Sequence, residues 1–258
     1  MHGFLDCHCH ISAAVFDKDI DTVIEHSKQA GLLALLAVAE HAGEFEKIIA
    51  LSKRFPGFVL PCLGVHPVQE VSSDQHRSAS LQDLDAALPL IDKYKDQLVA
   101  IGEVGLDFTP RYVKSESDKE SQREVLIRQA RLAKELDLPL NVHSRSAGRP
   151  TIQLLKEQGV EKVLLHAFDG KPSVAMEGVK AGYFFSIPPS IVRSEQVRVL
   201  TMHSFRESFP SISEAETCET VASREYVPGN GLARTRPREA GEKRAQEHHC
   251  CSRVYQRR

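Results

Sequence analysis

Short, continuously apolar runs alternate with longer amphipathic segments along most of this chain. Seven such runs follow one another, namely FLDCHCHI, LLALLAVAE, FVLPCLGVHP, LVAIGEVGLDF, LPLNVHS, KVLLHAF and YFFSIPPS. The six amphipathic segments between them cover residues 17–31, 44–55, 80–95, 119–137, 149–159 and 171–182. Strands that are apolar on both faces are typical of buried parallel sheets, and alternation with helices supplies the crossover connections. The pattern therefore predicts an α/β protein with a parallel sheet.

Two architectures fit seven such units: a doubly wound open sheet, and a TIM barrel without its last unit. A doubly wound sheet gathers its ligand residues at one switch point, from a few strands. Here polar residues stand at the carboxyl ends of strands throughout the array, which favours the barrel. With 258 residues, 41% of them hydrophobic, the chain has the size of one barrel domain. We expect a TIM (β/α)8-type barrel whose eighth unit is missing or replaced.

The composition of the chain changes after residue 193. From Arg193 onward there are 12 Lys and Arg residues against 9 Asp and Glu residues, with no sustained apolar strand and no long amphipathic helix. Such a segment buries too little apolar surface to offset the entropy lost on ordering. We predict an incomplete barrel over residues 1–193 and a divergent, largely disordered tail over residues 194–258.

Composition also bears on the cellular compartment of the protein and on the molecules that it binds. A net charge of −2 is not that of a protein that binds nucleic acid through overall charge, although a nuclease can use metal ions and a local basic patch instead. Six cysteines without a regular framework indicate reduced thiols. No apolar run approaches the length of a membrane span, and the first residues lack a secretory signal. We expect a monomer, in the cytoplasm or the nucleus.

The first predicted strand carries two histidines at alternate positions. His8 and His10 project to the same face because side chains two residues apart in a strand share a face. Imidazole is a good ligand for zinc and similar divalent ions. The pair therefore predicts half of a metal site, with a pair of hydrogen-bonded core histidines as the alternative.

Other predicted strands also end in ionisable residues. In chain order these residues are His66, Glu103, Asp107, His143 and His166. Each follows several apolar residues, where an unpaired ionisable side chain is costly to bury. Histidines and a carboxylate that converge at one barrel mouth suit two divalent ions, and Glu103 could bridge ions roughly 3.5–4 Å apart.

Five motifs, DCHCH, GVHP, GEVGLDF, NVHSR and LLHAFDG, occur in this order over residues 1–193. As a set they closely resemble the TatD family of metal-dependent deoxyribonucleases. The resemblance implies a TIM-barrel hydrolase that cleaves phosphodiester bonds in DNA with two divalent ions such as Zn, Mn or Mg. It implies these metal ligands: His8, His10, Glu103, His143 and His166. Glu103 would be the bridging, catalytic carboxylate, and His66 would sit beside the phosphate as a hydrogen-bond donor or a proton source.

Three of the candidate residues have open alternatives. His66 could simply end its strand and pack against Pro67. Asp107 is interpreted as a loop-capping residue in preference to a ligand. Arg145 suits a substrate phosphate contact through its planar guanidinium, but it could equally pair with an acid in the next loop.

One departure from the family pattern bears on activity. The resemblance implies a sixth ligand, an aspartate on strand eight that orients the attacking water, yet no Asp occurs after Asp169. The nearest acidic residues are Glu214, Glu216 and Glu219, and no hydrophobic run precedes them. The segment after residue 193 looks like an alternative splice product or a frame-changing gene model. We therefore predict weak activity or none for this chain and an active nuclease for its full-length form.

Two other functions remain open. The first is an amidohydrolase that cleaves a small molecule; such barrels also begin with a His-x-His pair but often bridge their metals with a modified lysine on strand four. Strand four here offers Glu103, and no lysine lies between Lys95 and Lys114. The second is a catalytically inert splice product. The sequence does not separate 3'-5' exonuclease from endonuclease action.

Overall fold

The protein is described by a computed structural model that covers residues 4–72, 74–186 and 252–253. A single sheet contains eight strands in the order β10-β1-β2-β3-β6-β7-β8-β9. Its strands are β1 (Phe4–Cys9), β2 (Leu32–Val38), β3 (Val59–Leu63), β6 (Ala100–Gly105), β7 (Leu140–His143), β8 (Val163–Leu165), β9 (Phe184–Phe185) and β10 (Ser252–Arg253). From β1 to β9 every neighbouring pair is parallel, as the sequence predicts.

A helix lies between most consecutive strands of the sheet. The helices are α1 (Ile20–Gln29), α2 (Phe45–Arg54), α3 (Leu81–Tyr94), α4 (Glu116–Glu135), α5 (Gly148–Glu157) and α6 (Pro172–Lys180). Three 3-10 turns occupy Ala14–Phe16, Ala42–Glu44 and Lys95–Gln97. All six predicted helices are present, with ends that differ from the predicted ones by a few residues. None of the helices in the described ranges is both long and apolar enough to cross a membrane.

The core lies between the sheet and its helices. Strand β6 is buried along its whole length, which explains its unbroken apolar pattern. The longest helix, α4, begins at a capping box in which Ser115 Oγ accepts from Asp118 N at 3.1 Å and Asp118 accepts from Ser115 N at 2.9 Å. Its buried face includes Val125, Leu126 and Ala130, together with two glutamines. These contacts fix α4 firmly behind the central strands.

Two features of the fold were not predicted. Strands β4 (Val68–Ser72) and β5 (Gln75–Ser78) form an antiparallel hairpin directly after His66, where the sequence is mostly polar and shows no clear alternation. At one edge of the sheet, β10 pairs antiparallel with β1. Apart from β10, the predicted disordered tail lies outside the described residues, and so does the end of the seventh predicted strand.

Candidate metal centre

The carboxylate of Glu103 on β6 is buried at the carboxyl end of the sheet. Its side chain is surrounded by nitrogens from five histidines, although the residue is only 1% exposed. Oε2 lies 3.3 Å from His8 Nε2 and 3.2 Å from His10 Nε2. Oε1 lies 2.8 Å from His143 Nδ1, 2.8 Å from His166 Nε2 and 3.6 Å from His66 Nε2. The structure thus brings together the five predicted ligands and His66 from five different strands.

The two oxygens of Glu103 face two groups of possible ligands. His8 and His10 form one group with Glu103, and His66 and His143 form the other, with all ligand atoms of a group within 4.8 Å of one another. Glu103 is the residue common to both groups. His166, outside both groups, contacts the same oxygen as His143, so three imidazoles stand beside Oε1.

The donor atoms fit divalent cations. Glu103 Oε2 is buried and accepts no hydrogen bond within the described residues, although two imidazole nitrogens stand within 3.3 Å of it. His8 Nε2 and His10 Nε2 themselves lie 3.2 Å apart. Ligand atoms that converge on one another without good hydrogen-bond geometry are expected around a cation, and imidazole with carboxylate suits zinc or manganese.

Asn141 on β7 orients the first histidine. Its Oδ1 lies 2.8 Å from His8 Nδ1, while its Nδ2 donates to the carbonyl of Cys7 at 2.7 Å. Because the amide oxygen can only accept, the proton of a neutral His8 is held on Nδ1, and the Nε2 lone pair faces Glu103. Sequence reasoning missed Asn141; the available signal was its position two residues before His143, on the same face of the strand.

The pKa values of Glu103 and of the histidines around it depend on one another. Burial alone would raise the pKa of Glu103, but the imidazoles of His8, His166 and His66 hold it well below its usual value. Burial would lower the pKa of His10, yet Glu103 raises it to about 9. Burial and the neighbouring His8 hold the pKa of His166 well below its usual value. The carboxylate therefore stays ionised and the His166 imidazole stays neutral, whereas His10 must release its proton before it can bind a cation.

Asp107 both caps its loop and contacts the centre. Its Oδ1 accepts from Thr109 N at 2.9 Å, as the loop-capping interpretation requires. Its Oδ2 lies 3.0 Å from His143 Nε2, on the side of the ring opposite Glu103. Burial would raise the pKa of Asp107, but the His143 contact lowers it to about 2. Asp107 therefore contacts the His143 ring nitrogen that faces away from Glu103.

Arg145 is the predicted site residue that lies apart from this cluster. Its side chain is exposed two residues beyond His143, and it makes no hydrogen bond or ion pair with any residue that the structure describes. The predicted alternative, a pairing with an acid of the next loop, is not seen within that part of the chain. Its main-chain oxygen accepts from Phe108 N at 3.1 Å, which ties the loop after β7 to the loop after β6.

Glycines on β6 let the strands around Glu103 approach closely. A Cβ atom on Gly102 would lie 2.7 Å from Asn141 Cβ, and one on Gly105 would lie 2.0 Å from His143 O. Gly105 also has a φ of +142°, which side chains disfavour. The GEVG sequence therefore sets the distance between β6 and β7, on which the contact between Glu103 and His143 depends.

Parallel strands joined by helices, with a carboxylate and five histidines at the strand ends, define a metal-dependent hydrolase of the TIM-barrel type. Residues 5–208 match the family model described as TatD related DNase. The chain belongs to this family.

Known relatives extend this assignment. Human Deoxyribonuclease TATDN3 is 68% identical over 198 residues, which are 77% of this chain and 72% of the human protein. The 3'-5' ssDNA/RNA exonuclease TatD of Erwinia tasmaniensis is 31% identical over 184 residues, covering 70% of this chain and 66% of that protein. The crystal structure of YjjV, a TatD homologue from Escherichia coli K12, matches with a TM-score of 0.65 and 26% identity, over 76% of this chain and 73% of that chain. The predicted fold class is confirmed.

Proposed function

We propose that this chain hydrolyses phosphodiester bonds of DNA with two divalent cations, which Glu103 and the surrounding histidines would hold. The observation that carries the proposal is the contact of one buried carboxylate with five imidazoles, within 3.6 Å of its two oxygens. The proposed ligands are His8, His10, Glu103, His143 and His166. All of them come from one copy of the chain, so we propose that it acts as a monomer.

The proposed role of each residue follows from its position around Glu103. Divalent ions in such a site activate water and neutralise the charge that develops on the phosphoester oxygens. Glu103 stays ionised and holds the two groups of histidines at a fixed separation. His66 Nε2 lies 3.6 Å from Glu103 Oε1, and its Nδ1 lies 3.1 Å from Val68 N and 2.8 Å from Val68 O. When Nδ1 accepts from Val68 N, the proton of the neutral ring stands on Nε2, from which it can be donated to the phosphate or the leaving group. Arg145 is exposed and free to contact a substrate phosphate.

The substrate class rests on the relatives. The human relative is named a deoxyribonuclease, and the Erwinia relative is named an exonuclease of single-stranded DNA and RNA. We propose single-stranded DNA as the substrate of this chain. Products from oligonucleotides labelled at the 5' or the 3' end separate the two modes of action. A ladder that shortens from the 3' end indicates a 3'-5' exonuclease, and internal fragments indicate an endonuclease.

We propose that the chain is slower than full-length members of its family. The strand-eight aspartate that the family resemblance implies has no counterpart after Asp169. A group that orients or deprotonates the attacking water contributes on the order of 10²–10⁴ to the rate. We expect a deficit of that size relative to human TATDN3 assayed under the same conditions.

The decisive experiment measures metal binding and cleavage together. The parent chain, Glu103→Gln and a control, Glu161→Gln at an exposed position, are dialysed against Mn²⁺ and assayed on labelled single-stranded DNA. We expect two Mn²⁺ ions per chain and slow cleavage for the parent and the control. Glu103→Gln should lose both properties because the bridging charge is gone. A parent that binds no Mn²⁺, or equal cleavage by Glu103→Gln, would refute the proposal.

A further inference from the structure

Two glutamines on α4 are fully buried behind the metal centre. Gln122 and Gln129 are both 0% exposed, although glutamine is mostly a surface residue. They lie seven residues apart, which is two helical turns, so both point from the same face of α4 towards the sheet. A buried amide is costly unless its hydrogen bonds are made, so the partners of these side chains show what they are for.

Gln129 binds the main chain beside His66. Its Oε1 accepts from Val65 N at 2.8 Å, and its Nε2 donates to Val65 O at 3.0 Å. Both backbone groups of one residue are therefore held by one side chain, as a neighbouring strand would hold them. We call such a pair of hydrogen bonds from one glutamine to the N–H and C=O of one residue a clamp. Because Val65 immediately precedes His66, this clamp fixes the position of the His66 main chain.

Gln122 makes the equivalent clamp at the end of β6. Its Oε1 accepts from Asp107 N at 2.9 Å, and its Nε2 donates to Asp107 O at 3.0 Å. The same Nε2 lies 3.1 Å from Ser78 Oγ at the end of the hairpin. Asp107 in turn contacts His143 Nε2 at 3.0 Å. The clamp thus fixes the residue that orients His143.

Both clamps support the same half of the centre. His66 and His143 belong to the group of possible ligands around Glu103 Oε1. The other half, with His8 and His10, contains a different support, the Asn141 amide on His8 Nδ1. A change in the α4 glutamines should therefore act on one half of the centre and leave the other intact.

We propose that Gln122 and Gln129 are positioning residues through which α4 sets the geometry, and hence the cation affinity, of the His66–Glu103–His143 half of the centre. This inference rests on the proposed metal site. Partners of this kind typically change metal affinity by about 10–100-fold when they are removed. The two clamps are expected to act in the same direction because one helix face carries both.

The test compares methionine variants with a control on the same helix face. Gln122→Met and Gln129→Met keep the length of the side chain but remove its hydrogen bonds. The control is Leu126→Ala. Leu126 lies between the two glutamines and is fully buried, but its apolar side chain makes no hydrogen bond to Val65 or Asp107. Mn²⁺ binding is measured by equilibrium dialysis with elemental analysis, and the melting temperature Tm is measured by calorimetry on the metal-free proteins.

We expect two classes of Mn²⁺ site in the parent and in Leu126→Ala, even though Leu126→Ala melts at a lower temperature. In each Gln→Met variant one class should weaken about 10–100-fold, while the other keeps the affinity of the parent. If a methionine variant does not fold, Gln122→Glu or Gln129→Glu is used in its place. The glutamate keeps the acceptor oxygen but leaves the Asp107 or Val65 carbonyl without its donor. The class of Mn²⁺ site that weakens in the methionine variants should therefore weaken here too.

Two results would overturn the inference alone. The first is binding of both Mn²⁺ ions by the glutamine variants with the affinity of the parent. The second is a loss of both classes that simply follows the decrease in Tm, with Leu126→Ala on the same trend. A parent that binds no Mn²⁺ overturns the proposed function and this inference together, so the two failures are distinguishable.

Discussion

The His143 ring is held between two carboxylates, with Nδ1 at 2.8 Å from Glu103 and Nε2 at 3.0 Å from Asp107. Burial alone would lower the pKa of this imidazole, but the hydrogen bonds to Asp107 and Glu103 raise it to about 9. One carboxylate belongs to the proposed ligand set, and the other holds the far side of the ring. Carboxylate partners of this kind fix ring orientation and increase ligand basicity.

Asp107→Asn should weaken cation binding without unfolding the protein. The amide keeps the size of the side chain but replaces the charge that holds His143, so we expect a loss of affinity of about 10–100-fold. Equilibrium dialysis against Mn²⁺ measures the change, and Asp96→Asn, at an exposed position, is the control. Unchanged affinity in Asp107→Asn would restrict Asp107 to its loop-capping contact with Thr109.

Asn141→Leu should destabilise the metal-free protein by about 1–3 kcal/mol, because the carbonyl of Cys7 loses its buried donor and His8 Nδ1 loses its acceptor. Urea unfolding measures the free energy of unfolding. In contrast with the glutamine variants of α4, this change should weaken the cation site that contains His8. Wild-type stability would show that another group satisfies these atoms.

Gly102→Ala should be destabilising by about 1–3 kcal/mol, because the added methyl group would lie 2.7 Å from Asn141 Cβ in a fully packed region. Gly43→Ala is the control: its methyl group would lie 2.9 Å from His41 Nδ1, an exposed side chain that can move away at the expense of its hydrogen bond from Gly43 N, so a cost of no more than about 1 kcal/mol is expected. Thermal unfolding of the two variants compares them. Equal stabilities would mean that β6 and β7 can separate at no cost.

Cations that bind the folded chain should stabilise it by an amount that grows with the logarithm of their concentration above the Kd. Added Mn²⁺ at about 100 times its Kd should contribute about 2.7 kcal/mol for each site that it fills, and EDTA should reverse the gain. Calorimetry of the parent with and without Mn²⁺ measures this shift in Tm. Glu103→Gln should show no such shift, because the carboxylate common to both ligand groups is lost. A shift of the same size in that variant would place the bound cation elsewhere.

The ion pair of the hairpin should make stability depend on acidic pH. Burial would raise the pKa of Asp83, but the paired hydrogen bonds from Arg77 lower it to about 2, below the ordinary 3.8. Its contribution is therefore present above about pH 3.8 and is lost as the pH falls through 2.

Arg77→Met should accordingly lower Tm near pH 6, and its difference from the parent should shrink towards pH 2. Lys95→Met, which removes the pair with the exposed Asp92, should show little change at any pH. Melting curves between pH 2 and pH 6 provide the comparison. A constant difference for Arg77→Met across this range would exclude the ion pair as its cause.

The strands and the six clustered side chains were predictable because they share one local pattern. Each of His10, His66, His143 and His166 ends or follows an apolar strand, and the carboxyl ends of parallel strands meet at one edge. Periodicity also gave the helices, since their apolar faces repeat every three or four residues. The close grouping around Glu103 needed no knowledge of distant contacts beyond the parallel order of the strands.

The supporting residues could not be predicted in this way. Gln122 and Gln129 lie in a helix with many charged residues, where a glutamine that faces the sheet has the same local sequence pattern as one that faces water. Asn141 interrupts an apolar strand by one residue, and its partner His8 is 133 residues away. The β4–β5 hairpin lacks alternating hydrophobicity. Each of these features depends on a partner far along the chain, which a single sequence does not identify.

The imidazole rings of His8 and His166 lie face to face, with their centroids 3.5 Å apart and an interplanar angle of 3°. Their strands, β1 and β8, are separated in the sheet by β2, β3, β6 and β7. The array must therefore bend round far enough for its first and sixth parallel strands to touch through the interior. The contact between His8 and His166 therefore depends on the curvature of the sheet. A flatter sheet would separate these two rings even if every pair of neighbouring strands kept its hydrogen bonds.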